Sequence, residues 1–383
     1  MGMRGIALAG LVCLLPGAAQ AALAIAGNDG KQLQAGEQIG VTPDSISVID
    51  LKAYPPKVIG QVQAPAAMIG PPDAVAVSRD ESFAIVTSAQ KINPADPMHP
   101  LWDDKVSVID LSHPAKPVVL ETVESGPGAS GVTMNRAQNL VLVAARADDA
   151  IVVMSLAGKK LTRIGRVELG KGTAPSDVVF APDGRHAYAI AQVGGKIIEL
   201  AVEGTKVTLT GQEYATGKFP YGAVVTPDSH WLINTNLGGA LTGEDHSGTV
   251  SMVDLKTHKL AFSIPVGRVP EHVTLSPDGK FIAVVLANGA ANVKSDPKYD
   301  SVTGILKILA VGEGTLSDVA QADTCHWAQG ASFSTDGKLV FQQCASERQI
   351  LVFRFDGKSL VQDKAAAMSF ESRPGAIATS LSR

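Results

Sequence analysis

Residues 178–190 read Val178-Val179-Phe180-Ala181-Pro182-Asp183-Gly184-Arg185-His186-Ala187-Tyr188-Ala189-Ile190, and this stretch decides the fold. Two apolar runs flank a tight turn. Proline presets φ at the first central position of the turn, aspartate bonds its own backbone, and glycine accepts the positive φ that closes the hairpin. The stretch therefore predicts two short antiparallel β-strands.

The same hairpin recurs along the chain. Clear copies of its turn lie at residues 226–229, 276–279 and 334–337, and degenerate copies lie at residues 78–81 and 135–138. A short apolar strand follows each hairpin, and in three clear cases it ends in aspartate, at residues 48–50, 108–110 and 252–254. Looser versions of this strand bring the copies to seven, at residues 153–155, 197–199, 306–308 and 351–353.

Each repeat thus holds four short strands, and no stretch shows the periodicity of an amphipathic helix. A four-stranded unit cannot bury both of its faces alone, so the units must stack, and seven units in a ring form a β-propeller. Residues 22–383 supply about 52 residues per blade, a length typical of propeller repeats. We therefore predict an all-β fold, with a single seven-bladed β-propeller domain of four-stranded antiparallel blades over residues 22–383.

The two ends of the chain predict how the ring closes. Residues 23–26 match the second strand of a repeat, with no innermost strand before them. Residues 374–380 match an innermost strand, with no hairpin after it. The C-terminal strand is therefore expected to join blade one, which removes the free sheet edges that invite aggregation.

Residues 1–21 predict a secretory signal peptide, with Arg4 as the positive region, an apolar core at residues 6–15 and Ala19-Gln20-Ala21 as the cleavage site. The mature protein is expected in the periplasm. No later apolar stretch approaches the ~20 residues that span a bilayer, so no membrane span is expected. The 33 Lys and Arg are balanced by 37 Asp and Glu without any basic run, which argues against a nucleic-acid partner.

Two cysteines remain after the leader, Cys325 and Cys344. An even pair in a secreted protein predicts a disulfide. The alternative, two thiolate metal ligands, lacks the paired short spacings of a zinc site. Counting outward from the hairpin turn of blade seven pairs Cys344 near Ala328, three residues from Cys325. A disulfide there would staple the hairpin and hold His326 and Trp327 at the channel rim as ligand contacts.

The Ser-Pro-Asp-Gly turns and the Val-x-Val-Ile-Asp strands resemble the YVTN-type β-propeller repeats of the lactonase-like and quinoprotein-amine-dehydrogenase-heavy-chain-like superfamily, over nearly the whole mature chain. The resemblance implies a WD40-like repeat architecture. It implies no single function, because that superfamily includes lactonases, electron-transfer subunits, surface proteins and binding proteins.

The long insertions all fall on one side of the predicted ring. In a propeller, the connections between second and third strands lie on the top face, and the hairpins after the innermost strands lie on the bottom face. The insertions join second to third strands, at residues 28–44, 91–105, 236–248 and 288–303. Long loops gathered on one end of a rigid scaffold are where binding residues usually lie, so function is expected on the top face.

The positions that enter each innermost strand are expected to line the top mouth of the central channel. They are Asp73, Ser130, Asp177, Tyr221, His272, Gln329 and Arg373. This ring could bind a small anionic or sugar-like ligand, or hold one divalent metal through Asp73, Asp177 and His272 for lactone hydrolysis. The simpler alternative is that a water-filled channel needs polar residues.

Familiar catalytic motifs are absent from the sequence, which has no Gly-x-Ser-x-Gly elbow, His-Glu-x-x-His motif, phosphate-binding glycine loop or c-type haem site. No catalytic residue is therefore singled out. The leading hypothesis is a monomeric periplasmic module that binds a small-molecule ligand or a protein through its top face. The alternatives are a metal-dependent lactonase-like hydrolase and an accessory subunit of a periplasmic quinoprotein dehydrogenase system.

Overall fold

The computed structural model describes residues 23–34, 40–243, 247–291 and 293–380. The predicted signal peptide therefore lies outside the described residues. The described chain forms seven antiparallel sheets arranged as the blades of a β-propeller, as predicted. None of its helices has the length and apolarity needed to cross a bilayer.

The blades follow the chain order. Blade one contains β1 (Leu23–Asp29), β2 (Ser45–Asp50) and β3 (Lys57–Gln63); blade two contains β4 (Val75–Val77), β5 (Phe83–Lys91), β6 (Leu101–Asp110) and β7 (Val118–Glu124). Blade three contains β8 (Ala129–Met134), β9 (Leu140–Ala145), β10 (Ala150–Ala157) and β11 (Lys160–Glu168). Blade four contains β12 (Pro175–Phe180), β13 (His186–Ala191), β14 (Lys196–Glu203) and β15 (Lys206–Tyr214).

The remaining blades complete the ring. Blade five contains β16 (Pro220–Val225), β17 (Trp231–Asn236), β18 (Ser247–Asp254) and β19 (Lys259–Arg268); blade six contains β20 (Pro270–Leu275), β21 (Phe281–Leu286), β22 (Ile305–Val311) and β23 (Leu316–Asp323). Blade seven contains β24 (Ala328–Phe333), β25 (Leu339–Cys344) and β26 (Gln349–Phe355), whose outer edge pairs with both β27 (Leu360–Gln362) and β28 (Met368–Ser369). The described residues also contain three short 3-10 helices, at Arg146–Asp148, Gly238–Leu241 and Lys364–Ala366.

The C-terminal strand β29 (Arg373–Thr379) is the innermost strand of blade one and pairs antiparallel with β1, which confirms the predicted ring closure. All seven of its residues are buried. Ile377 and Ala24 of blade one share a core cluster with Phe341 and Val352 of blade seven, so the last strand also seals the interface between the first and last blades.

The core lies between neighbouring blades. Innermost strands such as β12 are buried along their full length, whereas the outermost strand β7 alternates exposed and half-buried residues. The cluster around Leu142 and Ile151 of blade three extends to Val178 and Leu200 of blade four. This stacking explains why an isolated blade would leave an apolar face in water.

The four long connections predicted for the top face do join second to third strands, between β1 and β2, β5 and β6, β17 and β18, and β21 and β22. In blade two the ladder continues into the insertion, where Gln90 pairs with Trp102. The strands of this hairpin are therefore longer than the repeat alone predicts.

Candidate functional site

The innermost strands begin, at the top mouth of the channel, with a shared three-residue pattern. In three successive blades it reads Pro175-Ser176-Asp177, Pro220-Tyr221-Gly222 and Pro270-Glu271-His272, and the register to the second strand shifts at this point in each blade. The predicted ring therefore divides into two tiers. The first tier contains Ser130, Tyr221 and Gln329, and the second contains Asp73, Asp177 and His272, while Arg373 stands one residue before the first tier.

A segment of the chain itself occupies the upper channel. Residues 68–73, here called the plug segment, lead from blade one into β4 and are all buried except for half-buried Ile69. Glycines at the second-tier position make room for it. A Cβ on Gly375 of blade one would lie 2.5 Å from Met68 Cγ, and a Cβ on Gly330 of blade seven would lie 2.5 Å from Pro72 Cβ.

The plug segment also contacts the opposite side of the ring. A Cβ on Gly222 of blade five would lie 3.3 Å from Pro71 Cβ and 3.2 Å from Asp73 Oδ2. The backbone N–H of Val132 in blade three donates to the Asp73 carbonyl at 2.9 Å. At this level the channel is therefore filled by the plug segment, which precedes the first strand of blade two.

An ion cluster, buried at Lys31 and Asp29 and half-buried at Asp44, anchors the start of the plug segment. Lys31 Nζ lies 2.7 Å from Asp44 Oδ2 and 3.3 Å from Asp29 Oδ1. The amide of Met68 donates to Asp29 Oδ2 at 3.0 Å, so the cluster also fixes the backbone that enters the channel. Burial raises the pKa of Asp44, and the neighbouring Lys31 opposes that rise.

His272 and Asp73 contact each other in the second tier. His272 Nε2 lies 3.3 Å from Asp73 Oδ1, and the Ala331 amide donates to His272 Nδ1 at 3.0 Å. Since Nδ1 accepts, the ring proton belongs on Nε2, which donates to Asp73. Both ring nitrogens are thus used by protein groups.

Asp177 lies apart from this pair. Its carboxylate is fully buried, accepts from the Ala223 amide at 3.4 Å and packs against Gly131. Among the described residues, the donor atoms of Asp73, Asp177 and His272 do not all lie within 4.8 Å of one another. These three residues therefore do not fit a shared divalent ion.

Tyr221 and Glu271 of the first tier interact electrostatically with Arg146, which lies outside that tier, in the short helix after β9. Glu271 and Arg146 are half-buried, and Tyr221 is buried. Burial raises the pKa of Glu271 to about 7, although the Arg146 guanidinium opposes the rise. Burial also lowers the pKa of Arg146, and it raises that of Tyr221, with Glu271 adding to the rise.

Arg146 stands at the top of blade three, in the short helix that follows β9. Its Nη2 donates to Gln192 Oε1, and its buried Nη1 has no hydrogen-bond partner among the described residues. The amide of Gly70 in the plug segment hydrogen-bonds the Tyr221 hydroxyl. This arrangement offers a cation, a phenol and a carboxyl group that exchanges protons near neutral pH.

Sequence reasoning did not single out Arg146 or Glu271. Aligning the Pro-x-Asp/Gly/His entries of the innermost strands would have placed Glu271 beside Tyr221 and Gln329. No sequence pattern marks Arg146 in the same way. It follows the second strand of blade three, where the connection to the third strand is short and not one of the long insertions.

His326 is held firmly at the rim. Its Nδ1 lies 2.6 Å from Glu347 Oε1, its Nε2 lies 2.6 Å from the Tyr299 carbonyl, and its ring stacks on that of Tyr299 at a centroid distance of 3.6 Å. Trp327 adopts a positive φ of 50° and lies beside Arg373, whose guanidinium carbon is 5.5 Å from the indole centroid.

Among the described residues, Arg373 has the largest fully buried side chain, and it holds backbone in place. Its Nε donates to the Gln32 carbonyl at 2.9 Å and its Nη1 to the Ala345 carbonyl at 2.8 Å. Gln329 is 4% exposed, and its buried Oε1 has no partner among the described residues. Of the predicted ring, three residues therefore lie in the first tier with Glu271, namely Ser130, Tyr221 and Gln329. Arg373 supports the rim.

Cys325 and Cys344 form the predicted disulfide. Cys344 pairs with Ala328 across the hairpin, as the count from the turn indicated. Their sulfurs also lie within 4.8 Å of a Glu347 oxygen, in the one group of this kind found among the described residues. Because both sulfurs are bonded to each other, neither is a thiolate available to a metal.

No family model and no curated protein matches the chain. Solved structures do match it. A proposed 6-phosphogluconolactonase from Bacteroides fragilis aligns over 95% of this chain and 99% of its own, with a TM-score of 0.70 and 16% identity. A hypothetical selenium-binding protein from Sulfolobus tokodaii aligns over 95% and 94%, with a TM-score of 0.66 and 12% identity.

Hydrazine synthase from Kuenenia stuttgartiensis aligns over 77% of this chain and 79% of its own, with a TM-score of 0.59 and 15% identity. Similarity at these identities shows the shared propeller fold alone. The function must therefore be argued from the residues of this chain.

Proposed function

We propose that this protein binds a small polyhydroxy acid at the top mouth of its channel, between Arg146, Tyr221 and Glu271. The observation that carries the proposal is the buried Nη1 of Arg146, which has no partner among the described residues although its neighbour Nη2 does. A guanidinium prefers a planar or tetrahedral oxyanion, and two adjacent N–H groups can bind one.

The neighbouring groups suit the rest of such a ligand. Glu271 has a pKa of about 7, so near neutral pH it can donate to or accept from a hydroxyl. The Tyr221 hydroxyl and the Gln329 amide stand in the same tier. A ligand that carries an acid group and several hydroxyls would thus find a partner for each.

Isothermal titration calorimetry with 6-phosphogluconate tests the proposal, because this compound carries both kinds of group. We expect binding to the unaltered protein, and a loss of roughly tenfold or more in affinity in Arg146→Gln. Arg163→Gln, an exposed arginine on the outer strand of the same blade, is the matched control. Equal affinity in both variants would remove Arg146 from the site.

Hydrolysis of a sugar lactone is the second candidate, since a carboxylate with a pKa near 7 is suited to act as a general base. Some structural neighbours are named for 6-phosphogluconolactonase activity. If Glu271 activates water, turnover of 6-phosphogluconolactone should rise with pH through about 7 and vanish in Glu271→Gln. Ligand binding without turnover would leave the binding role and remove the hydrolase.

A periplasmic location forms part of the proposal. The signal-like residues 1–21 and the Cys325–Cys344 disulfide both support it, because disulfides persist in oxidising compartments. Cell fractionation with the full chain, compared with a chain that lacks residues 2–21, tests it. The dehydrogenase-subunit hypothesis remains a prediction of the resemblance, and copurification with an electron-transfer partner would test it.

A further inference from the structure

A second concave site lies at the bottom of the ring, where the innermost strands end. It is a cavity of about 490 Å³, within the range of small-molecule sites. Innermost strands of blades two to six contribute to it, together with the C-terminal end of blade one. Its apolar lining comes from Val77, Met134, Val179, Phe180, Ala181, Pro182, Val224, Val225, Pro227, Leu275 and Pro277.

The prolines of the repeated hairpin turn supply part of this lining. Pro182, Pro227 and Pro277 occupy the same turn position in blades four, five and six, and all three line the cavity. Their rings present apolar surface towards the space below the channel. The turn residue that shapes each hairpin thus also makes this side of the site apolar.

Blades two and three place arginine at that position. In their turns, Ser78-Arg79-Asp80 and Asn135-Arg136-Ala137, the residue that aligns with proline is Arg79 or Arg136. Both arginines line the cavity, and among its described lining residues they are the ones that carry charge. Because the two blades are neighbours, the arginines stand on the same side of the rim.

The turn itself does not require proline. Ser78 Oγ donates to Asp80 Oδ1 at 2.8 Å in blade two, and Ser276 Oγ donates to Asp278 Oδ1 at 2.7 Å in blade six, where proline is present. The same local bonds therefore form with Arg79 in place of proline. The arginine is thus not explained by the folding of the hairpin.

The acidic side chains near Arg79 and Arg136 do not form ion pairs with these two arginines. The turn carboxylates of Asp80 and Asp278 accept from serine hydroxyls of their own turns and do not line the cavity. Within the described part of the chain, neither Arg79 nor Arg136 forms an ion pair with a carboxylate, and both side chains are exposed. The cationic rim is therefore available to a ligand.

We propose that this cavity binds an amphiphilic anion, a molecule with an apolar body and one acid group. The apolar body lies against Phe180, Val225 and Leu275, and the acid group pairs with Arg79 and Arg136. Burial of the body supplies most of the affinity, and the arginines select the charge of the head group. This site is separate from the top mouth, so it does not depend on the role of Arg146.

Calorimetric titration of the mature protein with decanoate, decanol and decylamine tests the proposal, since these probes share a chain and differ in the head group. We expect decanoate to bind at least roughly tenfold more tightly than the other two. In the double variant Arg79→Gln/Arg136→Gln the preference for decanoate should disappear. Arg185→Gln, an exposed arginine of the blade-four turn that does not line the cavity, should bind decanoate unchanged.

The proposal would be overturned by no decanoate binding, by equal binding of the three probes, or by decanoate affinity that is unchanged in the double variant. A thermal melt of each variant identifies one that has not folded. Glu271→Gln serves as a further control, because it alters the top mouth and is expected to leave decanoate binding intact. Loss of decanoate binding in that variant would also overturn the proposal, because it would place the ligand at the top mouth of the channel.

Discussion

His272 Nε2 lies 3.3 Å from Asp73 Oδ1, and both side chains are buried in the upper channel. This contact joins the innermost strand of blade six to the plug segment that leads into blade two. The other ring nitrogen of His272 accepts from the Ala331 amide of blade seven. One imidazole therefore connects three blades through buried groups.

We expect His272→Ala to lower the free energy of unfolding by about 1–3 kcal/mol, because the buried Ala331 amide loses its acceptor and the Asp73 carboxylate loses a donor. Urea denaturation followed by tryptophan fluorescence measures the change. His113→Ala removes an exposed histidine on the bottom face and is the matched control. Equal unfolding midpoints in the two variants would contradict a structural role for His272.

A substitution at Gly330 tests whether the plug segment is packed against blade seven. In Gly330→Ala, the new methyl group would lie 2.5 Å from Pro72 Cβ and 2.6 Å from Gln343 Oε1, so either the plug segment or the strand must move. Overpacking of this kind typically costs about 1–3 kcal/mol.

The control for Gly330 is Gly165→Ala, because a Cβ at Gly165 meets no atom within 4 Å. Thermal melts of the two variants are compared. A Gly330→Ala protein as stable as Gly165→Ala would mean that residues 68–73 are not packed against blade seven.

The repeat predicts the ring but not what fills it. Turns such as Ala181-Pro182-Asp183-Gly184 act locally, so their chemistry can be recognised in the sequence. The seven copies of the short apolar strand, of which six follow such a turn, give the number of blades. The plug segment has no repeated pattern. Its fit depends on glycines in three other blades, including Gly330 and Gly375, and such a long-range match becomes visible only in three dimensions.

In the candidate site, too, positions set by the repeat could be predicted and positions set by long-range packing could not. The position of Tyr221 and Gln329 at the channel could be predicted because each opens an innermost strand, and this position follows from the repeat. Arg146 was missed because its place beside Glu271 depends on how blade three packs around the channel. The disulfide was found because Cys344 and Cys325 stand on the two strands of one hairpin, where counting from the turn sets the register.

Glu271 should make stability depend on pH. Its pKa is raised from 4.5 to about 7, so the folded protein binds a proton there between these values while the unfolded chain does not. The contribution of Glu271 to stability is therefore complete below about pH 4.5 and is lost as the pH rises through about 7. Glu271→Gln lacks this loss and should gain stability relative to the unaltered protein between pH 5 and pH 8.

Urea denaturation of both proteins across that pH range measures the effect of Glu271. The comparison cancels the titration of every other group that the substitution leaves unchanged. Stability curves that run parallel from pH 5 to pH 8 would mean that the Glu271 carboxyl titrates in its ordinary range.

The Cys325–Cys344 disulfide closes a loop with a sequence separation of 19 residues. Cross-linking a loop of this size stabilises a fold by about 3 kcal/mol in the chain-entropy model, so Cys344→Ala should unfold at a lower temperature. Reductant should lower the melting temperature of the unaltered protein towards that of the variant and leave the variant unchanged. A melt of the unaltered protein that does not respond to reductant, with its thiols shown to be free, would contradict this prediction.

The closing strand β29 gives the most direct test of the ring. All seven residues of Arg373–Thr379 are buried, and Ile377 packs at the interface with Phe341 of blade seven. Deleting residues 373–383 would leave β1 as an open edge and expose this interface to water. We expect a melting temperature lower by at least about 10 °C, or no cooperative melt.

Deleting residues 381–383 alone is the matched control, since it shortens the chain but keeps β29. We expect this shorter deletion to melt close to the unaltered protein, because every described contact of β29 remains. If both deletions melted at the temperature of the full chain, the strand that completes blade one would contribute nothing to stability. The six complete blades would then hold together without closure, which the shared core of blades one and seven argues against.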